Sequence, residues 1–508
     1  MKVLKLSSAA VLVCALSATV NASDDKPKRE LKNDMMVKTN VKPPKVDELS
    51  EMFSEGVFYG RLRMNSFKWD WKNDDANIDN KAFGLGGSMK YKTASFNGVS
   101  AAAGLYFTSS PFSSLRQDES EVGKVKAGKD TFSRYLIATT GTWEYAVLAE
   151  ANLQYQVSKT KAIAGRQIFE SFLTKSNDTK MIPNTFEGVV LETKELAKTR
   201  IRGAYFTAQK LRDHTTFHDV ITFGDRYNAD STTNFGDWNN NDDSAVHKGL
   251  SYKNFVDAGK DVNHELIVVD ARNKSIENLQ VDVTYGAVPD VLSSLTGELN
   301  YKIALGDGYT LTPGVRYMKQ FDNGGGEVGG ATLKGKLGIE QTPTSNLGYK
   351  ERYTLDSSLW MARLVLKKGP LKAKIGYSAV EDAADIVAPW RGFPTGGYTR
   401  AMAQYNWYAN TKTFNVEANY DFDKAGLVPG FSAMARYAIQ DFDEAKQAAG
   451  VQADSKILHM DFRENFGNGL YAKVRVGLVS ADARVLGSNA GKDVDSYNEY
   501  RFELNYLF

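Results

Sequence analysis

The segment YNEYRFELNYLF (497–508) alternates with a period of two. From Tyr500 every second position is apolar or aromatic, through Phe502, Leu504, Tyr506 and Phe508. Arg501, Glu503 and Asn505 fall between them, and Leu507 is the one break. Successive side chains of a strand point to opposite faces, so this pattern predicts a strand with oil on one side and water on the other. Similar segments recur from Gly56 onward. Short connections made of hairpin-turn residues join them: TASFNG (93–98), VSKTK (157–161), ELAKT (195–199), NKSIE (273–277), LGDG (305–308), KKGP (367–370), DKAGLVPG (423–430) and FGNG (466–469). Long polar stretches at 210–262, 320–350, 381–399 and 481–496 lie between them. Short turns on one rim and long loops on the other are the asymmetry of a transmembrane antiparallel β-barrel.

Counting segments gives about eighteen strands, an even number as closure of such a barrel requires. Residues 132–150 are weakly periodic and give no clear boundary. Alternation alone also fits a soluble sandwich or β-helix. The carboxy-terminal strand decides for the membrane, because a last strand ending in Phe508 can pair with the first and set its aromatics at the lipid interface.

Residues 1–22 carry Lys2 and Lys5, an apolar run from Ala9, and Val-Asn-Ala before Ser23, which predicts a signal peptide cleaved after Ala22. The only cysteine, Cys14, lies inside it, and Val13 before it is a poor match to a lipoprotein cleavage site. Residues 23–55, with Pro43 and Pro44 and no period, read as a flexible N-terminal periplasmic tail with a helical turn at VDELSEMF (46–53). The barrel is expected over 56–508.

Composition supports strands and turns, with Gly 43, Tyr 25 and Phe 26 against Pro 12, and the mean hydropathy of −0.39 fits a barrel with a wet lumen. Beyond the leader no apolar run approaches the length of a membrane-spanning helix. Without Lys2 and Lys5 the Lys+Arg total falls from 63 to 61, equal to the Asp+Glu total of 61. A formally neutral chain offers no global field for nucleic acid, so electrostatic function must come from local segregation of charge.

An arginine or lysine facing lipid at the midplane costs about 2–4 kcal/mol, so charges on the strands are expected to face the lumen. Arg61 and Arg63 then point inward with Phe58, Leu62 and Met64 outward. Lys473 and Arg475 point inward with Leu470, Ala472, Val474 and Val476 outward. The same reasoning places Arg316, Arg363, Lys372, Lys374, Arg436, His459, Asp461 and Arg463 on the pore wall, with Asp282, Glu298, Glu417 and Glu503 as acidic partners. Basic residues gather on the first and later strands and Asp282 and Glu298 on middle ones, an arrangement that predicts a transverse field across the pore.

Other chemistry is thin. His214 and His218 in HTTFH have no third metal ligand nearby in sequence. The DWNNNDDS stretch (237–244) lacks the glycine and closing glutamate of an EF-hand, and GGG (324–326) is turn material without a phosphate-loop motif. No cofactor is implied.

The stretch GRQIFESFLTKSNDTKMIPNTFEGVVLETKEL (165–196) resembles the signature of the OprD-type family of outer-membrane porins. Gly165, Arg166, Asn177, Asp178, Ile182, Pro183, Thr185, Phe186 and Gly188 match its order. The ending DSYNEYRFELNYLF and the hairpin at 415–443 are also similar to the family. Lys180 stands where the family has arginine, which replaces a planar bidentate donor by a point charge, and Glu170 and Phe172 replace its early prolines. The resemblance implies an eighteen-stranded barrel whose third loop, near 168–185, folds inward, with Arg166, Asp178, Lys180, Thr185 and Phe186 at the constriction. It also implies basic wall residues guiding small, often carboxylate-bearing solutes. The expected function is passive diffusion of small hydrophilic solutes; the alternative is a barrel serving as adhesin or surface scaffold. Expected partners are outer-membrane lipid, those solutes and, through the C-terminal strand, the barrel assembly machinery; no oligomeric state is implied.

Overall fold

The computed structural model describes residues 29–31, 36–39, 41–73, 77–177, 180–221, 247–339, 341, 345–402 and 405–508. The expected signal peptide, Asp178 and the whole of DWNNNDDS lie outside them.

Eighteen antiparallel strands close into one barrel. They are β1 Val57–Trp71, β2 Asn80–Lys92, β3 Val99–Ser109, β4 Glu144–Val157, β5 Thr160–Gln167, β6 Thr185–Thr193, β7 Thr199–Lys210, β8 Leu266–Asn273 and β9 Leu279–Val288. Then follow β10 Leu292–Tyr301, β11 Tyr309–Asp322, β12 Ser357–Lys368, β13 Leu371–Val380, β14 Lys412–Asp421, β15 Phe431–Asp441, β16 Ser455–Gly467, β17 Leu470–Ala481 and β18 Tyr497–Leu507. The short connections read from the sequence fall on one rim. The other rim carries the long loops and one tight turn, 289–291, where Asp290 takes φ 58°.

Closure comes from β18 against β1, from Tyr497 opposite Trp71 to Leu507 opposite Arg61. Phe508 extends the seam: its N–H donates to the Gly60 carbonyl at 3.2 Å and its carbonyl accepts from Gly60 N–H at 3.0 Å. With every strand paired on both sides the barrel has no open edge, the condition for crossing a bilayer with strands. The alternation of β18 survives intact. Tyr500 and Phe502 are exposed on the outside, while Arg501, Glu503 and Asn505 are buried inside. Leu507, the break in the pattern, faces inward and is buried against Val37 and Tyr59.

The weakly periodic stretch has a local cause. Residues 134–140 form a helix begun by Ser133, whose hydroxyl accepts from Leu136 N–H, and ended by Gly141 at φ 65°. The next strand, β4, shifts register against β3 beside Gly104 and Leu105.

The expected flexible tail is packed where it is described, because it carries apolar side chains that the rim can cover. Arg29–Leu31 pairs antiparallel with Val37–Thr39, and Lys45–Val46 runs parallel to Ser95–Phe96 in the β2–β3 turn. The helix α1, Leu49–Ser54, overlaps the predicted helical turn and buries Met52.

The long-loop half of the lumen is filled. Trp390, Tyr398, Trp407, Ile386 and Val387 from the loop after β13 join Phe169 and Leu173 of the loop after β5 and Val220 of the loop after β7 in one apolar cluster. Residues 381–399, read as a polar stretch, are therefore an inward-folded plug built on aliphatic and indole side chains. Room for loops is made by glycines on β2. A Cβ at Gly84 would stand 2.2 Å from Thr131 Cγ2, closer than real contacts allow.

Candidate solute path and its constriction

The third long-rim loop, 168–184, leaves β5 and is pinched at its neck, where Asn184 N–H donates to the Ser176 carbonyl at 2.8 Å. It then crosses to the far wall. Met181 and Ile182 are buried with Tyr106 of β3 and Val147 of β4. Asn65 Nδ2 of β1 donates to the Lys180 carbonyl at 2.5 Å, and Lys180 Nζ lies 4.0 Å from the centre of the Phe67 ring. A loop rooted on β5 and β6 is thus fastened to β1, on the other side of the seam. A second inward loop braces it: Thr174 pairs with Arg391, and Lys175 N–H donates to the Trp390 carbonyl at 3.0 Å.

Of the residues expected at the constriction, Lys180 is the one the loop carries into the lumen among those described. Arg166 sits on the outer face instead. On β5, Ile163 packs against the interior cluster and Gln167 is buried, so Arg166 takes the opposite parity beside exposed Ala164. There it pairs with Glu187 at 3.0 Å and lies 4.5 Å from the Phe217 ring, an arrangement that lowers the cost of a charge near the rim. Thr185 and Phe186 are the first residues of β6 and belong to the wall. Phe186 stacks on Phe206 with ring centres 4.7 Å apart.

The expected wall residues fall into paired groups. Arg475 of β17 faces Asp461 of β16 in register and grips it with Nε–Oδ1 at 2.6 Å and Nη2–Oδ2 at 2.7 Å. His459 and Arg463 approach the same carboxylate at 3.0 and 3.4 Å. Lys473 stands 3.4 Å from Glu503. Arg436 and Lys374 share Glu417, the lysine at 2.9 Å. Arg316 and Arg363 share Glu298, at 2.7 and 3.0 Å, and both lie over the Tyr398 ring. Asp282 is engaged by Arg272. The acids of the middle strands are thus neutralised locally, which removes the acidic pole of the expected transverse field.

Cations exceed acids on β11–β15, where Arg316, Arg363, Lys372, Lys374 and Arg436 face Glu298 and Glu417, and the larger excess lies on the β16–β1 wall. Arg61 and Arg63 on β1, Arg501 on β18, Lys473 and Arg475 on β17, Arg463 on β16 and Lys180 from the third loop outnumber Asp461, Glu499 and Glu503. Arg475 is directly opposite both Asp461 and Arg501, while across the seam Arg501 faces Phe67 and Arg63 faces Asn505. Arg61 and Arg63 are almost fully covered, as expected where a barrel interior is narrow.

One grouping had no signal in the sequence. Asp130, Arg134, Arg212, Asp213 and Arg391 come from three loops and form one buried ionic cluster, with Arg134 to Asp213 at 3.5 Å and Arg391 within 3.9 Å of both acids. Arg501 was visible only as part of the polar face of β18. His214 Nδ1 and His218 Nε2 are 2.8 Å apart, in hydrogen-bonding contact with each other, and no cluster of three metal-ligating side chains occurs among the described residues.

A closed barrel with a lipid-facing apolar belt, a lumen lined by charge and an inward loop defines an outer-membrane diffusion channel. The family model described as outer membrane porin, OprD family, matches residues 137–508, and the chain belongs to that family of passive channels for small solutes, which are not enzymes. Its fold is that of the crystal structure of Acinetobacter baumannii OccAB1, with 14% identity and a TM-score of 0.67, covering 91% of this chain and 98% of that one. Pseudomonas aeruginosa OpdK, solved with vanillate, aligns with 15% identity and a TM-score of 0.63, covering 90% and 99%. Acinetobacter baumannii OccAB3 aligns with 15% identity and a TM-score of 0.64, covering 90% and 100%. Among curated proteins no match is found. Membership in a porin family decides for a channel over an adhesin or scaffold.

Proposed function

We propose that the channel favours small hydrophilic solutes carrying a carboxylate, drawn along the β16–β1 wall past Lys180. The observation that carries this reading is the excess of lumen-facing cations on that wall over Asp461, Glu499 and Glu503 among the described residues. Cations held in a narrow lumen of low effective dielectric attract an anion more strongly than they would in water, and a row of them lets it pass from one to the next. A solute with a carboxylate and a hydroxyl or amine also finds acceptors in Glu503 and Asn505. OpdK crystallised with vanillate, an aromatic carboxylate, which agrees with this class.

On this reading the chain is exported through a signal peptide cleaved after Ala22, inserted by the barrel assembly machinery through β18, and surrounded by outer-membrane lipid. Its short turns and the segment 29–56 face the periplasm, and its long loops the exterior. Swelling of liposomes loaded with the protein tests the selectivity: carboxylates should enter faster than neutral sugars of equal size, and equal rates would contradict it.

A further inference from the structure

The six residues of α1 are too few to keep a helix in water unaided, so the barrel must hold it. Bonds at the short-turn rim do so. Ala94 N–H donates to the Met52 carbonyl and Ser95 N–H to the Pro44 carbonyl, each at 2.9 Å. Tyr91, which faces outward on β2 opposite Phe58, donates through its hydroxyl to the Phe53 carbonyl. The tyrosine ring lies so close to the chain that a Cβ at Gly56 would stand 2.1 Å from its Oη. Glycine is what lets the chain turn from α1 into β1 past Tyr91.

A helix fixed in this way has two unlike sides. Leu49, Met52 and Phe53 fall at i, i+3 and i+4 on one of them. Met52 is buried, whereas Leu49 and Phe53 are 59% and 60% exposed, as open as Leu153 at 62% and Leu191 at 53% on the lipid-facing belt. Glu48, Glu51 and Glu55 lie on the other side and are exposed. The apolar side continues an interface already in place. Phe58, on the outer face of β1, is exposed and meets Phe508 with ring centres 6.0 Å apart. Aromatic side chains near strand ends mark the boundary between lipid tails and headgroups, so α1 stands at that boundary beside the closing seam.

We propose that α1 is a membrane foot, with Leu49 and Phe53 inserted into the lipid of the leaflet at the short-turn rim and the three glutamates in water. Its occupant is bilayer lipid: two apolar side chains make a face far smaller than a stable protein interface, and that face is continuous with the belt lipid already covers. The foot ties the chain ahead of β1 to the membrane at the seam, a contact the strands do not supply.

The test uses the full chain, whose only cysteine, Cys14, lies in the expected leader. Phe53→Cys, Glu51→Cys, Val474→Cys and Lys424→Cys each carry a nitroxide in phospholipid liposomes. Collisions of the label with oxygen, which concentrates in lipid, are compared with collisions with a water-soluble nickel chelate. Val474 is exposed on the lipid face of β17 and Lys424 on a short turn, so they set the two limits. The label at 53 should favour oxygen, as at 474, and the label at 51 should favour nickel, as at 424. Nickel preference at both 51 and 53 overturns the foot, because α1 then stands in water. A label at 53 shielded from both reagents overturns lipid as the occupant in favour of a second copy or another protein.

Discussion

Arg475 and Asp461 face each other across β16 and β17 and are joined by two near-parallel hydrogen bonds of 2.6 and 2.7 Å. Asp461 is almost fully buried, and Arg475 faces Arg501 on its other side. The carboxylate therefore keeps two neighbouring guanidinium groups compatible. Asp461→Asn should shift the reversal potential toward anion selectivity. It should also lower the unfolding temperature, since stranding a buried charge costs about 3 kcal/mol. A variant with unaltered selectivity would show that this pair does not face the conducting lumen.

Asn65 on β1 ties the third loop to the far wall by donating to the Lys180 carbonyl. Asn65→Ala leaves that buried carbonyl without its donor, at a cost of about 1–3 kcal/mol, concentrated in the loop. The expected outcome is a larger and noisier single-channel current with the barrel still resistant to unfolding in detergent. An unchanged current would mean that the constriction does not depend on this crossing.

Lys180→Gln keeps the loop length and polarity while removing the charge. Anion preference should fall with little change in conductance to small ions, read as the permeability ratio under a salt gradient. Restoration by Lys180→Arg would separate charge from shape.

The barrel was legible because lipid imposes a strict rule. A period of two must hold on every strand, so the turns, the closing strand and the inward parity of Arg61, Arg63 and Lys473 could all be read by counting. Arg166, which the family resemblance puts at the constriction, obeys the same rule on the outer face, because Ile163 and Gln167 take the inward positions of β5. The plug at 381–411 was not legible in this way. Trp390 and Trp407 bury against Val220 and Phe169, partners far away in sequence, and no local period announces them. The same holds for Arg391, which meets Asp130 and Asp213 only after three loops converge.

The exterior loops carry a pH signature. Burial pushes Asp385 up to about 6, although Leu333 N–H, Ala409 N–H and Tyr349 Oη all donate to it. Its contribution to the loop assembly is full below its ordinary value of 3.8 and is lost as pH rises through about 6. Burial lowers His247 to about 4; its Nε2 faces the Gly330 carbonyl and its Nδ1 accepts from Gly249 N–H. That contribution is full above its ordinary value of 6.5 and is lost as pH falls through about 4. The slopes oppose each other in the parent. In Asp385→Asn the opposing Asp385 slope is removed, and exchange protection of the Gly249 amide, which donates to His247, should rise between pH 4 and 6.5. A flat profile in the variant would contradict the assignment.

The central claim is that solutes pass along a wet cationic wall inside the barrel. Reversal potential under a salt gradient in planar bilayers tests it most directly, with Arg61→Gln, Arg63→Gln and Arg475→Gln combined in one protein. The account predicts discrete ion steps in both proteins and a shift of the variant toward cation selectivity. The same reversal potential in both, with steps present, would contradict it.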